Sequence, residues 1–241
     1  MFDSASDTGP WYKTETILAQ LHPLINREDL TIITKLHPQD HGTHSSEESI
    51  KKSLDNLKST YIDIYLIHFP YCSPNMCNER SEGTWEDSWR VMEHYYEMGI
   101  LKAIGVSNFQ LPDLQKLWNI AKIKPMVVEN WYDPYFRDDQ VLDFCKSHGI
   151  QFFSYSSLGS QWEMKLGYNP IFKDPTLQAI ALNHHKSVVQ VVLKWLLQKE
   201  IVVLPRSHNR EHIQQNLYLF DWSLTDTEMQ LIDSLKNQYT Y

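Results

Sequence analysis

The chain has 241 residues, 42% hydrophobic and 22% charged, a balance expected of a soluble globular protein and too little apolar for a membrane one. Its 30 acidic and 22 basic side chains give a formal net charge of −8, which excludes the electrostatic footprint of a nucleic-acid binder and disfavours an anionic membrane surface. Three cysteines, Cys72, Cys77 and Cys145, form no even framework, so a reducing compartment is expected. No second Cys or His pair at zinc-finger spacing accompanies Cys72 and Cys77, and no metal site is expected. No basic segment followed by an apolar run opens the sequence, and no run is long enough to span a bilayer, so the cytoplasm is the expected location.

Short β-branched runs alternate with longer stretches of helical period, the pattern of repeated βα units around a parallel sheet. In chain order, the pattern predicts a strand over 30–35 and a helix over 47–58, with Ser45 or Ser46 as its N-cap. A strand over 62–68, a long loop over 69–84 and a helix over 85–98 closed by Gly99 follow. Next come a strand over 103–106, a helix over 112–120, a strand over 126–129 and a helix over 138–147 closed by Gly149. After a strand over 151–155 and a second long loop over 157–174, helices are expected over 176–184 and 187–199, with His184 and His185 solvated. The last strand spans 201–204, and helices over 210–217 and 225–237 finish the chain, with Ser223 and Thr225 as cap candidates. No linker or composition shift divides the sequence, so one α/β domain over 1–241 is expected. In barrels of parallel strands the functional loops follow the C-terminal strand ends, so the two long loops mark a substrate mouth or are tolerated surface insertions.

The strand ends carry the chemistry. Thr34-Lys35-Leu36-His37 ends one strand, Leu66-Ile67-His68-Phe69-Pro70 the next, and Ile104-Gly105-Val106-Ser107-Asn108-Phe109 the third. A lysine and a histidine at the ends of neighbouring parallel strands point into one mouth, where partial burial tunes their proton affinities. Read singly, His68 is equally a structural hydrogen-bonder and Lys35 a solvated lysine.

Together these segments resemble the aldo-keto reductase family. The likeness runs from Asp3 to the final helix and includes Phe153-Ser154-Tyr155-Ser156-Ser157-Leu158-Gly159 and Val203-Leu204-Pro205-Arg206-Ser207-His208-Asn209, followed by the stretch from Ile213 to Asn216. It implies a TIM (β/α)8-type barrel lacking its first strand, first helix and most of its second strand, since only Met1 and Phe2 precede Asp3. It also implies extended binding of NADPH without a Gly-rich turn, with NADH possible, and reduction of aldehyde or ketone carbonyls of a small-molecule substrate.

The family's Asp-Ser/Thr-Ala and Tyr-x-x-Glu motif is matched by Asp3-Ser4-Ala5 and Tyr12-Lys13-Thr14-Glu15, with more residues between the halves than the family pattern has. The resemblance thus makes Tyr12 the general acid, with Lys35 beside it favouring the phenolate, Asp3 holding Lys35 charged, and His68 directing the carbonyl oxygen. Ser107 and Asn108 match the carboxamide contacts and Tyr155 the nicotinamide stack. Ser156, Leu158 and Gly159 match the pyrophosphate contacts, Arg206, Ser207 and Asn209 those of the 2′-phosphate, and Gln215 and Asn216 those of adenine. Two positions depart from the pattern. Glu129 stands at a carboxamide-binding glutamine and accepts only from the amide nitrogen. His212 stands where many members carry an arginine on the 2′-phosphate, which implies modest discrimination against NADH.

A monomer or weak oligomer is expected. Trp11, Trp85, Trp131 and Trp162 are candidates either to line an apolar mouth or to pack at element ends. Two alternatives stand beside the reductase: a catalytically impaired or non-enzymatic nucleotide-binding regulatory protein, and an inactive truncated isoform.

Overall fold

The computed structural model describes residues 1–8, 12–74, 76–77 and 81–236. Trp11, Asn237 and part of the loop over 69–84 therefore lie outside the described residues. The chain forms two compact units, Met1–Val128 with Ser147–Ile150, and Glu129–Lys146 with Gln151–Tyr241.

The first unit carries β1 (Phe2–Asp3), α1 (Glu15–Leu18), β2 (Ile32–Leu36), α2 (Thr43–Leu57), β3 (Ile62–Ile67), α3 (Trp85–Glu97), β4 (Leu101–Ser107) and α4 (Leu111–Ile120). It ends within β5 (Val127–Trp131). Strands β1 to β4 pair in parallel in sequence order, with Lys35 opposite Leu66 and Leu66 opposite Gly105. Every residue of β2 is buried, as expected of a parallel strand covered on both faces. Ile33, Leu66, Ile67, Ile104 and Val106 join Ile50 and Leu57 of α2 and Trp85, Trp89 and Met92 of α3 in the core. That register puts the C-terminal ends of β2, β3 and β4, with Lys35, His68 and Ser107, side by side.

The second unit takes the rest of β5, then α5 (Asp139–Ser147), β6 (Gln151–Tyr155), α6 (Ser160–Leu166), α7 (Pro175–Asn183), α8 (Val188–Gln198), β7 (Val202–Val203), α9 (Arg210–Gln215) and α10 (Asp226–Asp233). Strands β6 and β7 are parallel, with Phe153 opposite Val202. Thr225 caps α10 in a reciprocal box with Glu228, as its Thr-x-x-Glu spacing dictates. Buried Trp162, Trp195, Tyr132 and Leu177 form the core. Asp133 at its centre accepts from Trp131 Nε1 at 2.8 Å and Trp162 Nε1 at 2.9 Å. Burial nevertheless pushes its carboxyl up to about 6.

Three expectations need correction, and a fourth is resolved. Ser45 and Ser46 lie inside α2, whose N-cap is Gly42. Their hydroxyls instead donate back to the carbonyls of His41 and Asp40, at 3.1 and 3.0 Å, while Ser88 Oγ accepts from Gly42 N. His185 is exposed as expected, but His184 is half-buried, with its Nε2 2.9 Å from Glu228 Oε1. Cys72 and Cys77 form a disulfide with Cα atoms 5.8 Å apart, which removes the cysteine argument for a reducing compartment. The third thiol, Cys145, is buried and pushed up to about 12, far from a reactive thiolate. Trp85, Trp131 and Trp162 are all buried and pack rather than line a mouth. Among the described residues no helix is long and apolar enough to cross a membrane.

Gly105 on β4 is required by close packing. A Cβ there would overlap the Val127 carbonyl oxygen at the start of β5 and lie 2.8 Å from Leu66 Cδ2. Replacement of Gly105 by Ala should therefore destabilise the protein by about 3 kcal/mol, the upper end for overpacking, read as a lower urea midpoint at unchanged slope. An unchanged midpoint would refute this packing.

Candidate active site

The first unit gathers all four residues expected to do chemistry. Lys35, the penultimate residue of β2, is 1% exposed, and its ammonium is bonded to Asp3 Oδ1 on β1 and to the Ser4 carbonyl at 2.9 Å. A buried ammonium needs such partners to remain charged. Strand pairing puts them there: Asp3 lies opposite Ile33, and Ser4 N and Ser6 N continue the ladder to the carbonyls of Ile33 and Lys35.

His68 follows β3, and its backbone N–H donates to the Leu36 carbonyl at 3.0 Å. Its ring meets Tyr12 edge-on with centroids 5.9 Å apart, so the long spacing after Asp3 still brings Tyr12 to the histidine. Burial, then the positive charge of Lys35 and the neighbourhood of His37, hold the His68 imidazole well below the ordinary range. His68 is accordingly neutral at physiological pH, with one N–H to donate and no charge to repel Lys35. Asn108 has a left-handed backbone, φ 59°, and its amide donates to the His68 carbonyl at 2.9 Å and to Ser107 Oγ at 3.1 Å. Both expected carboxamide contacts on β4 are thus tied to the strand end that carries His68.

Tyr12 is held through the helix that follows it. Glu15, fully buried at the start of α1, accepts from Thr34 Oγ1 at 2.7 Å and from Asn56 Nδ2 at 2.9 Å. Thr34 is the neighbour of Lys35 in sequence, so one carboxylate fixes the tyrosine's helix to the strand of the lysine. Two further histidines escaped the sequence reading. His37 and His41 are buried, and burial lowers both below the ordinary range. His37 Nδ1 accepts from Gln39 N at 3.2 Å, and His41 lies 2.9 Å from the Phe69 carbonyl and 3.2 Å from Ser88 Oγ. The alternation of Lys35 and His37 along the strand was the available signal for His37.

In the second unit, Leu158, Arg206, Ser207, His212, Gln215 and Asn216 line one pocket of about 260 Å³. Its remaining wall is Phe172, Ser187 and Val189. Asn209 is not in the lining; its Oδ1 caps α9, accepting from Glu211 N at 2.8 Å, and so orders the turn between Ser207 and His212. Tyr155 ends β6. The two residues that follow bend the chain through Ser156, φ 50°, whose hydroxyl accepts from Ser160 Oγ at 3.0 Å, and Ser157, bonded to Ser154. Gly159, φ 75°, closes the turn, and a Cβ there would meet Ile171 Cδ1 at 2.7 Å. Glu129 is 2% exposed on β5.

The residues present fit a phosphorylated nucleotide. The pocket offers a guanidinium and a hydroxyl for an anion, and Asn216 Oδ1 is buried without a hydrogen-bond donor, an acceptor suited to an exocyclic amine.

The model of the aldo/keto reductase family matches residues 4–237, and the chain belongs to that family. Aldo-keto reductase family 1 member A1 of Gallus gallus is 33% identical over 90% of this chain and 70% of its own length. Glyoxal reductase of Bacillus subtilis is 35% identical over 88% of this chain and 70% of its own. The Bombyx mori aldo-keto reductase crystallised with NADP superposes with a TM-score of 0.87 at 29% identity, covering 99% of this chain and 78% of that one. The fold class is accordingly that of the (β/α)8 reductases.

Three buried histidines with depressed proton affinity have a stability consequence. In the unfolded chain His37, His41 and His68 take up protons below about pH 6.5, whereas burial shifts their proton uptake in the folded protein to lower pH. Their contribution is present above that pH and lost as pH falls. Asp40 and Asp133, whose affinities burial raises, oppose this by at most one proton each. Unfolding free energy should therefore fall as pH drops from 6 to 5, measured by urea titration. A flat profile would contradict neutral burial of these rings.

Proposed function

We propose that this protein reduces aldehyde or ketone carbonyls with NADPH, and that Tyr12 is its general acid. One observation carries the reading: the ion pair of Lys35 with Asp3 and the ring contact of Tyr12 with His68 occur at adjoining strand ends of one unit.

The nicotinamide nucleotide supplies the hydride, and the protein supplies orientation and a proton. The neutral imidazole of His68 donates to the substrate's carbonyl oxygen and aligns it. Tyr12 gives its phenolic proton to that oxygen as the carbon is reduced. The ammonium of Lys35 compensates the developing phenolate, and Asp3 and the Ser4 carbonyl keep that ammonium in place. Bulk solvent then returns a proton to Tyr12.

For the nucleotide, the family likeness assigns Ser107 and Asn108 of the first unit as residues that would hold the carboxamide, and Glu129 and Tyr155 of the second unit as those that would meet its nitrogen and the ring. Ser156, Leu158 and Gly159 follow the pyrophosphate. Arg206 and Ser207 meet the 2′-phosphate with His212 at its edge, Asn209 holds that turn, and Gln215 and Asn216 receive adenine. With His212 in place of a permanent cation, NADH is a weaker second cofactor. The glyoxal reductase relative supports small reactive aldehydes as the first substrates to try.

The test is NADPH oxidation with methylglyoxal, followed at the nicotinamide absorbance. The native protein should turn over, and Tyr12→Phe should lower kcat by at least about 100-fold, the usual worth of a general acid. Its NADPH affinity, read by tryptophan quenching, should stay within twofold. Quenching by NADPH without oxidation across a panel of aldehydes would instead establish a nucleotide-binding protein without chemistry.

A further inference from the structure

Eight residues separate Asp3 from Tyr12, and among the described ones Ser6, whose N–H donates to the Lys35 carbonyl at 3.1 Å, makes the last ladder bond. A segment so long cannot place a phenol by strand pairing alone. A misplacement of about 1 Å at a reacting group costs about 100-fold in rate.

The structure supplies a second anchor for this segment. Thr8 N donates to Ser6 Oγ at 3.2 Å, and the two hydroxyls lie 2.9 Å apart. Thr8 Oγ1 then donates to Asp40 Oδ2 at 3.1 Å, a side chain 32 positions away. Asp40 is itself rigidly held, since it ends the short 3-10 turn Pro38–Asp40 after β2, its N–H donates to the His37 carbonyl at 2.9 Å, and its own carbonyl accepts from Ser46 Oγ at 3.0 Å. On the far side of Tyr12 the segment is closed by Lys13 Nζ on the Asp7 carbonyl at 3.0 Å, by Ser4 Oγ on Thr14 Oγ1, and by Glu15 on β2 and α2. The tyrosine therefore stands between two tie points, one on Asp40 and one on Glu15.

We propose that Asp40 is a positioning residue for the general acid, acting through the Thr8 hydroxyl on the segment that carries Tyr12. This rests on the assignment of Tyr12 given above. His37, Ser49 and Lys52 also face the Asp40 carboxylate, so a purely electrostatic role is the rival. The two differ in what they require. A tether needs an acceptor at position 40 and a hydroxyl at position 8, whereas an electrostatic role needs the negative charge.

Four variants separate them: Thr8→Val, Thr8→Ser, Asp40→Ala and Asp40→Asn, each assayed with NADPH and methylglyoxal. Thr8→Val and Asp40→Ala should lower kcat about 10- to 100-fold, with KM for the aldehyde and NADPH affinity within about threefold. Thr8→Ser and Asp40→Asn, which keep donor and acceptor, should retain at least half of kcat. The Thr8→Val/Asp40→Ala double variant should be no slower than the worse single one. In a Tyr12→Phe background Thr8→Val should change nothing further. Full kcat in Thr8→Val, or an Asp40→Asn variant as slow as Asp40→Ala, overturns the tether. Full turnover in Tyr12→Phe itself overturns the underlying assignment instead.

Discussion

The buried ammonium of Lys35 is the constraint on which the first unit depends. A cation 1% exposed must be compensated by partners, and the Asp3 carboxylate and the Ser4 carbonyl that bind it come from β1 and the residue that follows it. Pairing of β1 with β2 is therefore inseparable from the charge state of Lys35. The same charge acts on His68, whose imidazole stays neutral partly because a second cation beside Lys35 is unfavourable. Neutral His68, in turn, is held at its backbone by Leu36 and Asn108, and its ring meets Tyr12. One ion pair thus sets strand order, protonation and the neighbourhood of the proposed acid together.

The second unit works by shape and hydrogen bonding. Its pocket unites residues from the turn after β6, the start of α8, the turn before α9 and α9 itself. Gln190 of α8 donates to the Gln215 carbonyl at 3.1 Å, which fixes the end of α9. The turn after β6 depends on backbone that only glycine adopts freely at position 159, with Asn169 donating to the Leu158 carbonyl at 2.7 Å. Charge is confined to Arg206 and, when protonated, His212, in keeping with an acidic chain whose cationic sites must be local.

Much of this was legible in the sequence because periodicity and caps are local. The β-branched runs gave the strands from 30 onward, and Gly99 and Gly149 ended their helices in left-handed conformations. The three strand-end segments and the Arg206 segment suggested the candidate site residues through family likeness. What was not legible depends on distance. The pair Phe2–Asp3 is too short to read as a strand, and only β2 makes it one. Seven-residue α6 and four-residue α1 carry too few positions for a period. Ser45 and Ser46 resemble caps, but their hydroxyls have carbonyl acceptors behind them that no local rule foresees. His37 and His41 read as polar residues until the fold buries them.

The central claim is convergence: the phenol of Tyr12, the ammonium of Lys35 and the imidazole of His68 act on one carbonyl oxygen. A crystal structure of the protein with NADPH and an unreactive carbonyl analogue measures it directly. The account predicts that Tyr12 Oη and a His68 ring nitrogen each lie within about 3.2 Å of the analogue's oxygen, with Lys35 Nζ in hydrogen-bond reach of Tyr12. An oxygen bound by other side chains, with Tyr12 turned away from Lys35, would contradict it.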